Sequence, residues 1–408
     1  MTVQTPPARR TAATNTTSAY GWVERGFHWA IALLIPTAIA LGVIAHDMAF
    51  DTDAALARKA MLFSLHKTVG VTIFFVALAR ILWAASQPRP AALHPERRAE
   101  TALASLVHWL LYGSLVLVPL LGWAHHATSE GFAPILWPFG QSLPFLPKDA
   151  DLSATLATLH MVFERVMVAA LLLHIVGTIK HSWVDRDSTF QRMWRGVDPG
   201  PLTGAGRHLA PLAGAVVIWA MALGVGLWLS PHPATASATG VASVSAPSDW
   251  TVEEGTLAIT VQQLGSAVTG TFADWQAAIA FDEAPRADGS LGTVEVAVAT
   301  GSLTLGSVSD QATGADFLAS EAFPQAVFEA VLLPGGENYV AEGTLSLRGV
   351  EVPLSLPFTL TLDEGRATMS GGVTLDRRTF AMGETYPDES SVGFAVEVSV
   401  DLVARRDE

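Results

Sequence analysis

The sequence contains no cysteine among its 408 residues. This absence excludes disulfides, iron–sulfur clusters, thiolate ligation of a metal and thioether attachment of a haem. Histidine is missing from residue 233 onward, and lysine is missing beyond Lys180. The C-terminal part of the chain therefore cannot use imidazole as a metal ligand or general base. A haem anywhere in this chain would have to be held by histidine or methionine.

Charge is also scarce, since 15% of the residues are charged and 50% are apolar, which is too apolar for an ordinary soluble protein. Residues 1–232 hold 17 Lys/Arg against 13 Asp/Glu, a net charge of +4. Residues 233–408 hold 7 against 25, a net charge of −18. Two physically different parts are joined in one chain, and no nucleic-acid partner is expected.

Five apolar segments are long enough to cross a bilayer, which takes about 20 helical residues. They lie near residues 22–45, 62–85, 102–125, 157–183 and 209–229. The preceding residues 1–19 are polar, Thr-rich and without the apolar core of a signal peptide. We expect this N-terminus to be disordered and the first apolar segment to be retained as a membrane anchor.

Basic residues set the expected orientation. They cluster before the first span and in the loops after the second and fourth spans: Arg9, Arg10, Arg25, Arg89, Arg97, Arg98, Arg186, Arg192, Arg195 and Arg207. The other two loops are mixed in charge and include the acids Asp47, Asp51, Asp53, Asp149 and Asp151. The positive-inside rule then predicts a cytoplasmic N-terminus and an external C-terminal part. In a bacterium this is a multi-pass inner-membrane protein with a periplasmic domain.

Histidines in different predicted spans are expected to lie at the same depths in the membrane. His160 and His174 are 14 residues apart, about 21 Å along one helix and only about 40° around it. His28 lies just inside the start of the first span, level with His174, and His66 lies just inside the start of the second span, level with His160. Two cross-helix pairs at two depths predict two b-type haems, each held by two histidines, which carry electrons rather than bind oxygen.

Alternatives remain for these histidines. A single histidine in a span is more often a packing residue than a ligand, and His108 competes with His28 for the cytoplasmic pair. A zinc or proton transporter would add buried acids, whereas the predicted spans contain only Glu164 and, at an edge, Glu24.

Three further residues are weaker candidates near the haems. Lys67 and Arg165 could neutralise haem propionates, and Gly70 could let a macrocycle approach the backbone.

Residues 20–197 resemble the prokaryotic cytochrome b-561 family of four-helix di-haem membrane proteins. The resemblance is carried by "ERGFHWAIALL", "LHKTVGVTIFFVALARILW", "HWLLYGSLVLVPLLGW" and "LLHIVGTIKHSWVDRDSTFQRM". It implies that His28 and His174 hold one haem and His66 and His160 the other. It also implies electron transfer between quinones and periplasmic partners, and for some members superoxide oxidation. The fifth span lies outside this resemblance.

From Trp250 onward the pattern changes to about eight short alternating strands with Gly-rich turns, typical of an antiparallel barrel or sandwich. One interlude, "GADFLASEAF", reads as helical; Asp310 and Asp316 near it form either a surface site or a solvated helix start. An eight-strand barrel either holds one elongated apolar ligand or is filled by its own side chains.

Residues 249–405 resemble the YceI-like lipocalin-type domain that binds polyisoprenoids. The motifs are "VTGTFADWQAAIAFD", "ATGADFLASEAFPQAVFEA", "GTLSLRGVEVPLSLP" and "LDRRTFAMGETYPDESSVGFAVEVSVDLVA". The resemblance implies an apolar tunnel for an isoprenoid quinone or similar lipid. The candidates for tunnel wall or core are Phe272, Trp275, Phe317, Phe323, Phe328 and Phe380.

The expected fold is therefore an all-α transmembrane four-helix di-haem bundle plus a fifth transmembrane helix, followed by an all-β lipocalin-like barrel. The expected segments are 1–19 disordered, 20–197 cytochrome b, 198–230 loop and fifth span, 231–248 a flexible Pro/Ala/Ser/Thr-rich tether, and 249–405 barrel.

The expected function is electron transfer through two haem b groups that exchange electrons with quinone, with a barrel that binds an isoprenoid lipid or quinone. The rivals are a membrane-anchored lipid carrier or stress-protection protein, and a superoxide:quinone oxidoreductase, whose anionic substrate the −18 domain would repel. Beyond the bilayer and quinone, a periplasmic redox partner and a homodimer remain open.

Overall fold

A computed structural model of the chain describes residues 12–131, 133–138, 140–202, 209–230, 244, 246–336 and 338–407. The start of the predicted disordered N-terminus, part of the predicted cytoplasmic loop with Arg207, and most of the predicted tether lie outside the described residues. The chain divides into two compact units. The first comprises residues 1–47, 62–128 and 135–231, and the second comprises residues 48–61, 129–134 and 232–408.

Six helices form the N-terminal part of the described chain: α1 Trp22–Asp47, α2 Asp53–Ala85, α3 Arg98–Thr128, α4 Ala150–Ile179, α5 Thr189–Trp194 and α6 Ala210–Leu229. All except α5 are long and apolar enough to cross a membrane, as the sequence predicts. The helices α2 and α4 begin before the predicted spans because hydropathy marks only the part of a helix that hydrocarbon covers.

Local sequence explains where α4 begins and ends. The carboxylate of Asp149 accepts a hydrogen bond of 2.7 Å from the Leu152 amide, so it caps the first turn. At its other end, α4 continues into one π-helical turn, Lys180–Val184. His181 lies in this turn, and its Nδ1 is 2.7 Å from a carboxylate oxygen of Asp187.

The bundle core combines branched and small side chains. Ile31 of α1, Leu115 of α3 and Phe163 of α4 belong to one buried cluster. Ala77 and Ala215 are fully buried, which lets neighbouring helix backbones approach closely. The fifth apolar helix contributes Ala222 to the main cluster, so α6 packs as part of the bundle.

The C-terminal part forms ten described strands: β1 Trp250–Gln263, β2 Ser266–Phe272, β3 Trp275–Phe281, β4 Gly292–Ala299, β5 Leu303–Thr304, β6 Gln325–Gly335, β7 Asn338–Leu347, β8 Val350–Asp363, β9 Arg366–Asp376 and β10 Val392–Arg406. All pairings are antiparallel, and β1 pairs with both β10 and β3, which closes a ring of eight strands. Strands β2 and β5 extend this ring along β1. The predicted lipocalin-like barrel is confirmed.

The predicted helix at residues 314–323 is wrong. A short helix, α7 Ser309–Thr313, lies just before it. Gly314 ends α7, since its backbone is extended and its amide donates to the Gln311 carbonyl at 3.2 Å. Asp310 lies in the first turn of α7, the position that the alternative of a solvated helix start describes.

Candidate functional site

Two histidines from different helices face each other in the half of the bundle that contains the N-terminal half of α4. His66 of α2 and His160 of α4 have ring centroids 6.3 Å apart, with their ring planes at 88°. The sequence matches this pair by depth, and the structure brings the two rings together.

Backbone carbonyls fix both rings. The Nδ1 of His66 lies 2.8 Å from the Ala38 carbonyl of α1, and the Nδ1 of His160 lies 2.9 Å from the Val118 carbonyl of α3. Because a carbonyl only accepts, each Nδ1 carries the proton and each Nε2 keeps its lone pair for another partner. The two histidines are therefore held in the same way, each by a backbone carbonyl of a neighbouring helix.

A glycine one turn after each acceptor carbonyl makes room for the ring. A Cβ at Gly42 would lie 2.9 Å from the His66 imidazole, and a Cβ at Gly122 would lie 2.9 Å from the His160 imidazole. Any larger residue would push the ring away from its carbonyl. Glycine is therefore required here by close packing.

A second pair lies near the other end of α4. His28 of α1 and His174 of α4 have ring centroids 6.1 Å apart, with ring planes at 62°. His108 of α3 is nearer, with its centroid 5.2 Å from that of His174. The rival that the sequence leaves open is thus in direct contact with this pair.

The residues fit a metal held between two imidazoles. Two imidazoles that held one metal ion through nitrogen bonds of about 2 Å would have ring centroids up to roughly 6 Å apart. The separations of 6.1 and 6.3 Å match this value, whereas the ring centroids of His108 and His174 are closer, at 5.2 Å. A backbone hydrogen bond at Nδ1 is also the usual support for an imidazole ligand.

One buried ion pair in the bundle was missed from the sequence. Arg80 of α2 and Glu24 of α1 are both buried, with Nε 3.3 Å from Oε1, and Arg80 lies over the ring of Tyr112. The other carboxylate oxygen of Glu24 has no hydrogen-bond partner among the described residues. Matching Glu24 with Arg80 by depth, as for the histidines, would have found the pair.

The weaker candidates have different surroundings. The Nζ of Lys67 is 3.3 Å from Nδ1 of His126, a buried residue whose Nε2 is 3.0 Å from Gln141. The side chain of Arg165 is 74% exposed and its Nε is 3.6 Å from Glu164. A Cβ at Gly70 would meet no atom within 4 Å, so protein packing alone does not require glycine there.

The barrel encloses an apolar cavity. Its larger chamber measures about 240 Å³ and a second about 110 Å³. Leu257, Val296 and Phe328 are among the residues that line both, so the two chambers adjoin. Trp250 and Met369 line the far part of the second chamber. This shape favours the alternative of an elongated apolar ligand over a barrel filled by its own side chains.

Polar side chains line only the larger chamber. Thr300 is satisfied by the Phe323 carbonyl at 2.7 Å, and Gln311 donates to the Tyr386 hydroxyl at 2.7 Å. Arg377 and Gln263 complete the set. Burial lowers the pKa of the Arg377 guanidinium and raises the pKa of the Tyr386 phenol.

The aromatic residues expected at the tunnel wall or core divide into three groups. Phe272, Trp275, Phe317 and Phe328 line the cavity. Phe380 is 2% exposed and belongs to a buried cluster beside it. Phe323 is 37% exposed, so the expectation of a wall or core position is wrong for this residue. It lies against the turn at Gly349, outside the barrel interior.

Comparisons with known proteins match two separate parts of the chain to two protein families. The family model for prokaryotic cytochrome b561 matches residues 19–196, and that for the YceI-like domain matches residues 249–404. Cytochrome b561 homolog 2 of Escherichia coli is 29% identical over 44% of this chain and 93% of its own length. A probable superoxide oxidase CybB of Yersinia pestis is 24% identical over 43% of this chain and 94% of its own length.

Two solved structures resemble the barrel. BcnA of Burkholderia cenocepacia has 25% identity and a TM-score of 0.35, covering 38% of this chain and 99% of that chain. A YceI protein of Campylobacter jejuni has 17% identity and a TM-score of 0.30, covering 34% of this chain and 85% of that chain. The chain is a membrane protein in which residues 19–196 match the prokaryotic cytochrome b561 family and residues 249–404 match the YceI-like domain.

Proposed function

We propose that the bundle transfers electrons across the membrane through two b-type haems. His28 and His174 would hold one haem, and His66 and His160 the other. The observation that supports this is the two facing imidazole pairs, 6.1 and 6.3 Å apart, built on one shared helix. When bound by two imidazoles, haem supplies one-electron chemistry and offers no open coordination position.

The chain's own residues position these groups. The carbonyls of Ala38 and Val118 hold the protons on the Nδ1 atoms of His66 and His160 and leave both Nε2 atoms as ligands. Lys67, close to His126, provides a positive charge in the outer half of the bundle for a haem propionate or an anionic reactant. Arg165 is a second candidate for propionate neutralisation, with an exposed side chain that would have to turn inward.

The direction of insertion follows from the basic loops. With a cytoplasmic N-terminus and five crossings, the chain is a bacterial inner-membrane protein with its YceI-like domain in the periplasm. Quinone is the expected electron partner because it is soluble in the same membrane. The barrel would bind an isoprenoid lipid or quinone in its apolar cavity.

A second candidate function is superoxide:quinone oxidation, which the relative described as a probable superoxide oxidase favours. The net charge of −18 on residues 233–408 opposes electrostatic steering of an anion to this protein. If removing these residues raises the rate of superoxide consumption, the chain oxidises superoxide and the acidic residues slow that reaction by repulsion.

Reduced-minus-oxidised spectra of the purified chain test the haem assignment. We expect a low-spin b-type signal from two haems. His66→Ala and His174→Ala should each remove a different haem, because they belong to different pairs. His28→Ala should remove the same haem as His174→Ala, whereas His108→Ala should retain both.

The alternative of a lipid carrier with a passive anchor predicts no b-type signal at all. Equal loss of both haems in His66→Ala and His174→Ala would contradict the pairing. Removing residues 240–408 tests the barrel's contribution, since unchanged quinone reduction would separate the barrel from the electron-transfer function.

A further inference from the structure

One polar group in the barrel cavity lacks a partner. Gln263 is 3% exposed, and its Oε1 is buried without a hydrogen-bond partner among the described residues. Leaving a buried acceptor unpaired is costly, so such groups usually serve a ligand or a bound water. Gln263 lines the larger chamber, where the rest of the β1 inward row is Leu257, Ile259 and Val261.

The pairing of β1 with β10 is irregular at this position. It is regular from Glu254 to Val261, which lies opposite Val396, and then shifts by extra residues in β10, so that Gln263 lies opposite Val392. Irregularities of this kind re-aim side chains and are common beside binding sites. Gln263 continues the alternation of Leu257, Ile259 and Val261, so it faces the cavity at the end of that row and beside this irregularity.

Arg377 lies at the same end of the barrel. Its Nε donates to the Gly393 carbonyl at 3.0 Å, and Nη2 donates to the Val392 carbonyl at 3.2 Å and the Tyr386 carbonyl at 2.7 Å. Its Nη1 donates to two further carbonyls, those of Met382 and Gly383. All five N–H groups of the guanidinium are therefore used by backbone.

This arrangement selects the chemistry of the ligand. A phosphate would require several free donors, and Arg377 has none left to give. The unpaired Gln263 Oε1 accepts a hydrogen bond, so it fits a hydroxyl that donates one. The second chamber, toward Trp250 and Met369, offers only apolar and aromatic walls for a tail.

We propose that the Gln263 end of the cavity is a subsite for a neutral hydroxyl head group, such as a prenyl alcohol, a prenylphenol or a quinol. The head donates its hydroxyl to Gln263 Oε1, and the apolar tail runs past Phe328 toward Trp250. This inference rests on the proposed lipid-binding function of the barrel and adds which end holds the head and which heads are accepted.

Binding of three radiolabelled ligands to the full chain in detergent tests the subsite: geranylgeraniol, its methyl ether and its phosphate. The wild type should bind the alcohol about tenfold more tightly than the ether, which cannot donate a hydrogen bond. Methionine is close to glutamine in shape but accepts a hydrogen bond only weakly, so Gln263→Met should remove this preference.

Gln262→Met is the matched control, since Gln262 is the exposed neighbour on the same strand. It should keep the preference for the alcohol. The bundle is identical in all three proteins, so differences between them report the barrel.

Equal binding of alcohol and ether by the wild type, or an unchanged preference in Gln263→Met, would overturn the subsite and leave lipid binding intact. Tighter binding of the phosphate than of the alcohol would also overturn it. If the wild type binds none of the three ligands, the proposed lipid-binding function fails and the subsite fails with it.

Discussion

The bundle and the barrel present their candidate sites in opposite ways. In the bundle, the histidines and the Glu24–Arg80 pair are polar groups in apolar helices, where each is expensive unless it has a partner. In the barrel, the cavity is made of the same valines and leucines that fill any core. A site is visible in sequence when its chemistry contrasts with its background, and the barrel's site lacks that contrast.

Breaking the buried ion pair should have the largest effect on stability. Glu24→Leu leaves Arg80 charged, buried and unpaired, and should lower the free energy of unfolding of the bundle by about 3–5 kcal/mol. Thermal unfolding in detergent, followed by circular dichroism at a helical wavelength, measures the loss.

The double variant Glu24→Leu/Arg80→Met removes both charges and should recover most of the lost stability. A double variant as unstable as Glu24→Leu alone would show that the pair acts through packing rather than charge. The difference between the bundle, with its buried charges, and the barrel, with its apolar cavity, would then be smaller than the sequence indicates.

The barrel also contains a buried charge, so the effect of removing a buried charge can be compared between the two parts of the chain. Arg377→Met removes a guanidinium that donates to five backbone carbonyls and should cost about 3 kcal/mol of barrel stability. Calorimetry of the full chain would report this as a shift of the barrel transition.

The adjacent Arg378 provides the control. It is exposed and pairs with Asp376, so Arg378→Met should change stability by no more than about 1 kcal/mol. Equal effects of the two substitutions would mean that the hydrogen bonds of Arg377 contribute no more than a surface ion pair.

Helix geometry explains why the histidine pairs could be predicted from sequence. Because the rise per residue is fixed, residue positions along two membrane helices convert directly into depths. Counting residues therefore identifies the histidines that lie at the same depths as His160 and His174. The start of α2 at Asp53 could not be predicted from hydropathy, because the segment from Asp53 to Met61 is helical without being apolar enough to count as a span.

Close packing at the His66–His160 pair gives a smaller expected effect. Gly122→Ala places a Cβ 2.9 Å from the His160 imidazole and should displace the ring from the Val118 carbonyl, at a cost of about 1–3 kcal/mol. The haem that His160 is proposed to hold should then be lost or loosened, visible as a lower b-type absorbance per chain.

Gly224→Ala is the control for that substitution, since a Cβ at Gly224 meets no atom within 4 Å. Alanine in an open helical position should stabilise α6 by up to about 1 kcal/mol. If both substitutions leave the spectrum and stability unchanged, the ring of His160 is not held by close packing.

The barrel's polar end shows where sequence reasoning stops. The alternation of β1 places Gln263 on the same face as Leu257, Ile259 and Val261, but the sequence gives no sign that this face lines a cavity with room for a ligand. That depends on the pairing of β1 with β10, two strands over a hundred residues apart. The closed ring and its cavity follow from such pairings as well.

The smallest expected effect has the opposite sign to the others. In the full chain stripped of lipid, Gln263→Met should raise the stability of the barrel by about 1 kcal/mol, because it removes a buried acceptor that has no partner among the described residues. Gln262→Met, at the exposed neighbouring position, should change stability by less than about 0.5 kcal/mol. A loss of stability in Gln263→Met would mean that the amide is satisfied in the lipid-free barrel. A gain would mark Gln263 as a residue kept for binding at the expense of stability, as expected for a functional site that its sequence background conceals.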